Sequence, residues 1–178
     1  QEKNIDSAII YYEMAVEKYP EKEELLIDLG NLYSEDKRYE DSKEVYDSFD
    51  RKYGVSENTT VSSIKNLVLA QRFDEAEVKA KELLLLEPDN VLYNGMLAEI
   101  YRGKKDSQKA LEVYKSLIAR NPGNGLIQLS LCDFLISEES YAELFELLTS
   151  VIINAGVAKE EKISLMARLI EEKQVAVQ

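Results

Sequence analysis

Histidine and cysteine, two side chains that often carry out catalysis, are absent or nearly absent from this sequence. Its 178 residues include no histidine, which removes the usual base near neutral pH and the commonest metal ligand. The single cysteine, Cys132, cannot form an internal disulfide, and its position among packing residues predicts a buried thiol. Asp36, Glu40 and Asp41 lie close together, but their spacing matches no calcium loop. We therefore predict no catalytic residue, no metal site and no cofactor, and we expect that the chain is not an enzyme.

Two short motifs have ordinary structural explanations. Gly123-Asn124-Gly125 lacks the lysine and the serine or threonine of a phosphate-binding loop, so no nucleotide site is predicted. Asn58-Thr59-Thr60 fits the pattern for N-glycosylation, but Asn58 also suits the cap of a nearby helix.

The net charge of −12 restricts the classes of partner. A chain this acidic is repelled by phosphate backbones and by anionic lipid, so we expect no nucleic-acid binding. The charge is concentrated in residues 1–90, which carry 22 acidic and 12 basic groups. The sequence contains no apolar run of about 20 residues, so we also expect no direct membrane insertion. The compartment is left open: the cytoplasm, or the periplasm and cell envelope if a signal segment preceded Gln1.

The three prolines show a repeat. Pro20, Pro88 and Pro122 are separated by multiples of 34 residues, and the same step from Pro20 also reaches Gly54 and Gly156. Proline cannot continue a helix, and glycine accepts the left-handed conformation that often follows one. A helix breaker therefore recurs every 34 residues, which predicts a repeat architecture with helix ends at these positions.

Residues one period apart are also of similar type. One column is apolar with a single polar exception, as we expect of a core position: Leu29, Ser63, Leu97, Leu131 and Leu165. In the next column two small residues alternate with larger ones: Gly30, Ile64, Ala98, Cys132 and Met166. A small side chain there allows a paired helix to approach closely. Most of the tyrosines fall in such core columns, whereas Tyr11, Tyr19, Tyr53 and Tyr93 fall outside them and are candidates for surface contacts.

Apolar residues spaced by three and four predict helices throughout, and no segment alternates with the period of a strand. Ten helices are predicted, at residues 5–18, 23–35, 39–52, 58–70, 73–87, 91–102, 107–120, 125–137, 141–154 and 159–173. The predicted fold class is all-α: an α-α superhelix, that is, a right-handed solenoid of antiparallel helix pairs with a 34-residue repeat.

The repeat resembles the tetratricopeptide repeat. The residues that carry the resemblance include Leu26, Leu29, Gly30 and Tyr33, followed by Tyr39, Ser42, Tyr46 and Phe49. A second copy is Leu97, Ala98 and Tyr101, then Ala110, Tyr114, Leu117 and Pro122. The resemblance implies one repeat domain over residues 1–178, with a half repeat at 1–22 and a terminal helix at 159–178. The whole repeats are expected at 23–56, 57–90, 91–124 and 125–158. The half repeat also suggests a fragment of a longer chain.

The resemblance further implies a binding surface. In this family the first helix of each repeat lines a concave groove that receives an extended peptide or a partner helix. Eleven residues map onto that face: Ile27, Asn31, Ser34, Val61, Lys65, Val68, Gly95, Glu99, Arg102, Leu129 and Asp133. The resemblance therefore implies a scaffold for protein–protein interaction that binds a protein or peptide partner.

Relatives that hold the acidic C-terminal tails of chaperones use a clamp of lysine, asparagine and arginine. Only Asn31 fits that clamp, whereas Ile27, Ser62, Leu92 and Met96 occupy its other positions. We therefore do not expect a chaperone tail as the partner.

The alternative function is a structural or self-assembly spacer within a larger multi-repeat protein. Weak self-association would then occur through the apolar terminal helices, at Ile9 and Ile10 and at Leu165 and Leu169.

Overall fold

The computed structural model describes residues 2–175, with side-chain environments for residues 4–171. This part of the chain forms ten α-helices and no strand. They are α1 (Glu2–Lys18), α2 (Glu23–Glu35), α3 (Tyr39–Tyr53), α4 (Glu57–Leu69), α5 (Phe73–Leu86), α6 (Val91–Gly103), α7 (Ser107–Arg120), α8 (Gly125–Ser137), α9 (Tyr141–Ile153) and α10 (Lys159–Val175). The all-α prediction is confirmed. Apart from the outer ends of the two terminal helices, every observed helix end lies within one residue of its predicted position.

The described chain divides into two compact units. The first unit contains α1 to α5 and residues 99–105, and the second contains residues 89–98 and α7 to α10. Short turns join consecutive helices, and within the units α2 packs against α3, α4 against α5 and α8 against α9 as antiparallel pairs. The division into whole repeats given above stays a prediction.

The core of each unit uses the columns of the 34-residue period. Every member of the Leu29 column is buried, from 0% exposure at Leu165 to 7% at Leu97, and the polar exception Ser63 is buried as well. In the next column, Gly30 on α2 lies against the ring of Tyr46 on α3. A Cβ atom at Gly30 would come within 2.5 Å of that ring. The small residue therefore allows the approach of the paired helix, as the sequence predicts.

The turns after α2, α4, α6 and α8 share one backbone geometry. Lys37, Gln71, Lys105 and Glu139 all have positive φ, between 55° and 63°, and follow one another at steps of 34 residues. At the first of them, the Arg38 amide donates to the Tyr33 carbonyl at 2.8 Å, and the Lys37 amide donates to the Ser34 carbonyl at 3.1 Å. This pair of bonds satisfies the last carbonyls of the helix, as in a Schellman motif. The left-handed position is occupied four times by a residue that is not glycine.

The turn between α3 and α4 differs from the sequence prediction in two details. Gly54 follows α3 with φ 91° and ψ 160°, so its φ is positive but the residue is extended rather than left-handed helical. The extended ψ directs the chain into Ser56, which caps α4 with a side chain that accepts a hydrogen bond from the Thr59 amide at 3.2 Å. Asn58 lies inside α4, so the prediction that it caps this helix is wrong.

An ionic cluster joins α5 to the end of α6 in the first unit. The Glu77 carboxylate accepts hydrogen bonds from Lys81 at 2.6 Å, from Lys104 at 2.7 Å and from the Tyr101 hydroxyl at 3.0 Å. The bonds from Lys104 and Lys81 lower the pKa of Glu77 from 4.5 to about 2. The Glu77 side chain is only 18% exposed, so solvent screens this cluster less than it screens the outer ion pairs.

Replacing Gln71 with glycine is expected to stabilise the chain. A non-glycine residue in the left-handed region is strained, and glycine removes that strain at a smaller cost in the entropy of the unfolded chain. We expect a gain of about 0.5–1 kcal/mol in the free energy of unfolding, measured by urea denaturation. The matched control is Glu44→Gly at an exposed position inside α3, which should lose about 1 kcal/mol. A loss of stability in Gln71→Gly would contradict the strained turn.

The Glu77 cluster is expected to give a pH-dependent stability. Because the folded pKa of Glu77 lies below its unfolded value, its contribution is present above about pH 4.5 and disappears as the pH falls towards 2. Glu77→Gln should therefore cost about 1 kcal/mol of unfolding free energy at pH 7. The difference from the parent chain should shrink across the acidic window in pH-resolved denaturation. Glu82→Gln, on the exposed side of the same helix, is the control and should change little at any pH.

Candidate interaction surfaces

The first-helix surface of the first unit lies on α2 and α4, which contact each other. Asn31 and Lys65 are exposed, and Ile27, Val61 and Val68 are half-buried. Each set of residues follows a spacing of four and then three, which places it on one face of its helix. The structure therefore brings five of the predicted groove residues onto two packed helices, with polar tips beside apolar side chains.

Ser34 has a structural role in addition to its predicted place on this surface. Its hydroxyl lies 2.8 Å from the Ser42 hydroxyl and donates to the Asn66 side-chain oxygen at 2.8 Å. The Asn66 amide group in turn donates to the Tyr39 carbonyl at 3.0 Å. Since Asn66 is only 2% exposed, these bonds satisfy a buried polar group between α2 and α4. The network fixes the spacing of the two helices that carry the surface.

The importance of Asn66 was missed at the sequence level. At steps of 34 residues the same column holds Leu32, Ile100 and Phe134, so Asn66 is the polar member of an apolar column. That exception was the available signal. A hydrogen bond also holds the Asn31 side chain in place, because its oxygen accepts from the Tyr46 hydroxyl at 2.8 Å.

Glu99 and Arg102 complete the predicted residues of the first unit. Both are exposed and form an ion pair at 2.7 Å, three residues apart on the last turns of α6. An exposed pair of this kind is weak in water and exchanges readily with the charges of a partner. Both side chains are therefore accessible to a partner, and their opposite charges leave the pair without a net charge.

The second unit contains Gly95, Leu129 and Asp133 of the predicted set. Asp133 is exposed but forms an ion pair at 2.7 Å with Arg168, which ties α8 to α10. Leu129 is half-buried on the same face of α8, one turn before Asp133. A Cβ atom at Gly95 would meet no atom within 4 Å, so close packing does not explain this glycine.

The terminal helices differ from the expectation for self-association. Ile9, Leu165 and Leu169 are buried, with exposures of 2%, 0% and 7%. They pack inside their own units, so they cannot form the apolar ends that the sequence suggested. Only Ile10 is exposed as expected, and the structure adds Tyr11 and Met14 beside it on α1.

Two further predictions concern the tyrosines outside the core columns and the single cysteine. Tyr93 is 2% exposed and is therefore a core residue, whereas Tyr11 is 71% exposed and Tyr19 is 40% exposed. Cys132 is fully buried, as predicted, and burial raises the pKa of its thiol to about 12. A thiol in this state is a poor nucleophile and a poor metal ligand. Across the described residues, acidic side chains and the cysteine nowhere form a group suited to hold a metal ion.

A cavity in the second unit was not predicted. It has a volume of about 340 Å³ and lies between α7 and α9, the second helices of their pairs, with α8 as its floor. Its walls are mainly apolar, and its charged residues are Lys115 on α7 and Glu143 and Glu146 on α9. None of the predicted groove residues lines it. The family resemblance places binding on the first helices, and no pattern in the sequence indicates a site on the second helices.

None of the helices in the described part of the chain combines the length and the apolar character that spanning a membrane requires.

Comparison with known proteins finds similarity to the tetratricopeptide repeat in both sequence and fold. The family model of the tetratricopeptide repeat matches residues 96–124. No curated protein matches the sequence. Among solved structures, the chain is similar to a tetratricopeptide repeat protein from Parabacteroides merdae, with a TM-score of 0.70 and 13% identity, over 97% of this chain and 67% of that one.

Two other solved structures show the same likeness. A thermophilic tetratricopeptide repeat protein from Thermus thermophilus has a TM-score of 0.62 and 14% identity, over 93% of this chain and 91% of that one. MamA from Desulfovibrio magneticus also has a TM-score of 0.62 and 14% identity, over 83% of this chain and 84% of that one. Identities this low show the fold alone. The matched segment, the helix pairs and the periodic core together show that this chain has the fold of tetratricopeptide repeat proteins.

Proposed function

We propose that this chain is a protein–protein interaction scaffold that binds an extended peptide or a partner helix on its first-helix surface. The observation that carries the proposal is the composition of that surface in the first unit. Asn31 and Lys65 are exposed beside the half-buried Ile27, Val61 and Val68 on two helices held at a fixed spacing. Polar groups that select a partner beside apolar groups that bind it are typical of recognition surfaces.

The chemistry of the surface favours a partner with carboxylate and amide groups. Lys65 offers three hydrogen-bond donors on a flexible stem, and Arg102 offers a planar guanidinium that binds carboxylates. Asn31 can bond to a peptide backbone, since its amide has two donors and its oxygen can accept more than one bond. Tetratricopeptide repeats generally serve as scaffolds for protein binding rather than as catalysts, which agrees with the absence of histidine from the sequence. In the second unit, the proposal covers Gly95, Leu129 and Asp133.

A structural or self-assembly role is the second candidate, and one observation favours it. Ile10, Tyr11 and Met14 form an exposed apolar stripe on α1, with exposures of 54%, 71% and 60%. Light scattering of the whole chain across a concentration series tests this role, with Ile10→Ser as the comparison variant. A monomer at every concentration would count against self-assembly, whereas a dimer that the variant abolishes would support it.

The binding proposal is tested with three substitutions in the first unit. Peptides selected from a display library on the parent chain are titrated against a variant with Asn31→Ala, Lys65→Ala and Arg102→Ala. We expect binding to weaken by about tenfold or more, because each substitution removes donors that face the partner. Isothermal titration calorimetry measures the affinity, and a thermal melt checks that the variant is folded.

The matched control carries Arg51→Ala, Lys79→Ala and Gln108→Ala on the second helices α3, α5 and α7. It removes two positive charges and one amide, as the test variant does. We expect its affinity to stay within about twofold of the parent. Equal binding by both variants would place the working surface elsewhere and overturn the proposal.

A further inference from the structure

The cavity on the second helices has the features of a second docking site. Its floor includes Leu131 and Leu135 of α8, which are 4% and 1% exposed, so the cavity reaches the core of its unit. Leu111 and Ile118 of α7 form one wall, and Leu147 of α9 contributes to the other. A volume of about 340 Å³ with these walls lies in the range of sites that receive apolar ligand groups.

The cavity is separate from the first-helix surface. Leu129 and Asp133 lie on one face of α8, whereas Leu131 and Leu135 lie about 120–160° away around the helix axis. A partner seated on α7 and α9 therefore does not compete for the first-helix residues of the same unit.

The charges around the cavity are unequal. Glu143 and Glu146 stand one turn apart on α9 and are both exposed, and Lys115 is the charged residue that α7 contributes to the lining. Within the described chain, none of these three side chains forms an ion pair with another residue. The rim thus offers two carboxylates against one ammonium group, which favours a ligand that carries positive charge beside an apolar group.

The length of the cavity indicates the shape of the ligand. Its lining residues run from Leu111 to Ala119 on α7 and from Glu143 to Ser150 on α9. At 1.5 Å per residue these segments are about 11 Å long, or two helical turns. Two apolar side chains four residues apart on a helix fit this length, since they are one turn apart on the same face.

We propose that the cavity between α7 and α9 docks a basic amphipathic helix of a partner protein. The apolar side chains of that helix enter above Leu131 and Leu135, and its lysine or arginine residues pair with Glu143 and Glu146. The apolar contact supplies most of the affinity, and the two carboxylates select the charge of the partner.

The test uses two designed peptides of about 16 residues, long enough to form helix in water. Both carry leucines four residues apart, and their polar positions hold lysine in one peptide and glutamate in the other. Each is titrated into the full chain up to about 1 mM, with methyl NMR of the lining leucines and isoleucine as the readout. We expect the lysine peptide to shift these methyl signals and to bind at least about tenfold more tightly than the glutamate peptide.

The variant Glu143→Lys with Glu146→Lys is expected to reverse that preference. Its matched control, Glu112→Lys with Glu160→Lys, changes the net charge equally at exposed positions outside the cavity. The control should keep the lysine peptide within about twofold of its parent affinity. Ala119→Phe, which places a ring at the rim, should weaken the lysine peptide without lowering the melting temperature by more than a few degrees.

Three results would overturn the proposal. The first is a set of methyl shifts confined to the first-helix residues such as Leu129. The second is an equal loss of affinity in the charge-reversed variant and its control, which would show attraction to the acidic chain as a whole. The third is binding of 4-phenylbutylammonium in the cavity without binding of either peptide, which would indicate a small-molecule site.

Discussion

The packing of one helix against the helix that follows it is the constraint on which the structure depends. A single helix of this chain cannot bury its apolar stripe, and a pair leaves further apolar surface for the next pair to cover. The same core positions must therefore be filled at every step of 34 residues. Where a polar residue occupies one of these core positions, it is either small, as Ser63 is, or hydrogen-bonded, as Asn66 is. Both solutions allow a close helix spacing, and no buried polar side-chain atom of the described residues is left without a hydrogen-bond partner.

That spacing determines what the surfaces can do. The bonds from Ser34 to Asn66 and from Asn66 to Tyr39 hold α2, α3 and α4 together from inside. The exposed tips of Asn31 and Lys65 are consequently carried on rigid helices rather than on loops. A preformed surface loses less conformational entropy on binding, which suits recognition by a scaffold.

The second helices α7 and α9 present a surface of their own, separate from the first-helix surface. On α8, one face carries Leu129 and Asp133, and the opposite face supplies Leu131 and Leu135 to the floor of the cavity. The repeat is thus able to present different chemistry on its two sides. The fold does not select between these sides, because the same helix pairing positions both. The charges on α7 and α9 give the second side its own preference.

The sequence alone determined the fold class, the period and nearly every helix end, because helix breakers and apolar spacing are local signals that do not depend on distant contacts. It also placed Cys132 in the core and Gly30 beside a paired helix. The capping of α4 by Ser56 was missed because capping depends on which side chain reaches the free amides, and Asn58 was equally plausible by type. Tertiary structure alone decided the rest. The left-handed turns at Lys37, Gln71, Lys105 and Glu139 carry no glycine, so helix packing imposes a geometry that the residue types disfavour. Burial of Ile9, Leu165 and Leu169 depends on which face of a terminal helix its neighbour covers. The cavity between α7 and α9 exists only because residues about 30 positions apart come together around α8. No local pattern encodes the space left between two helices, since that space depends on how all the surrounding side chains fill it.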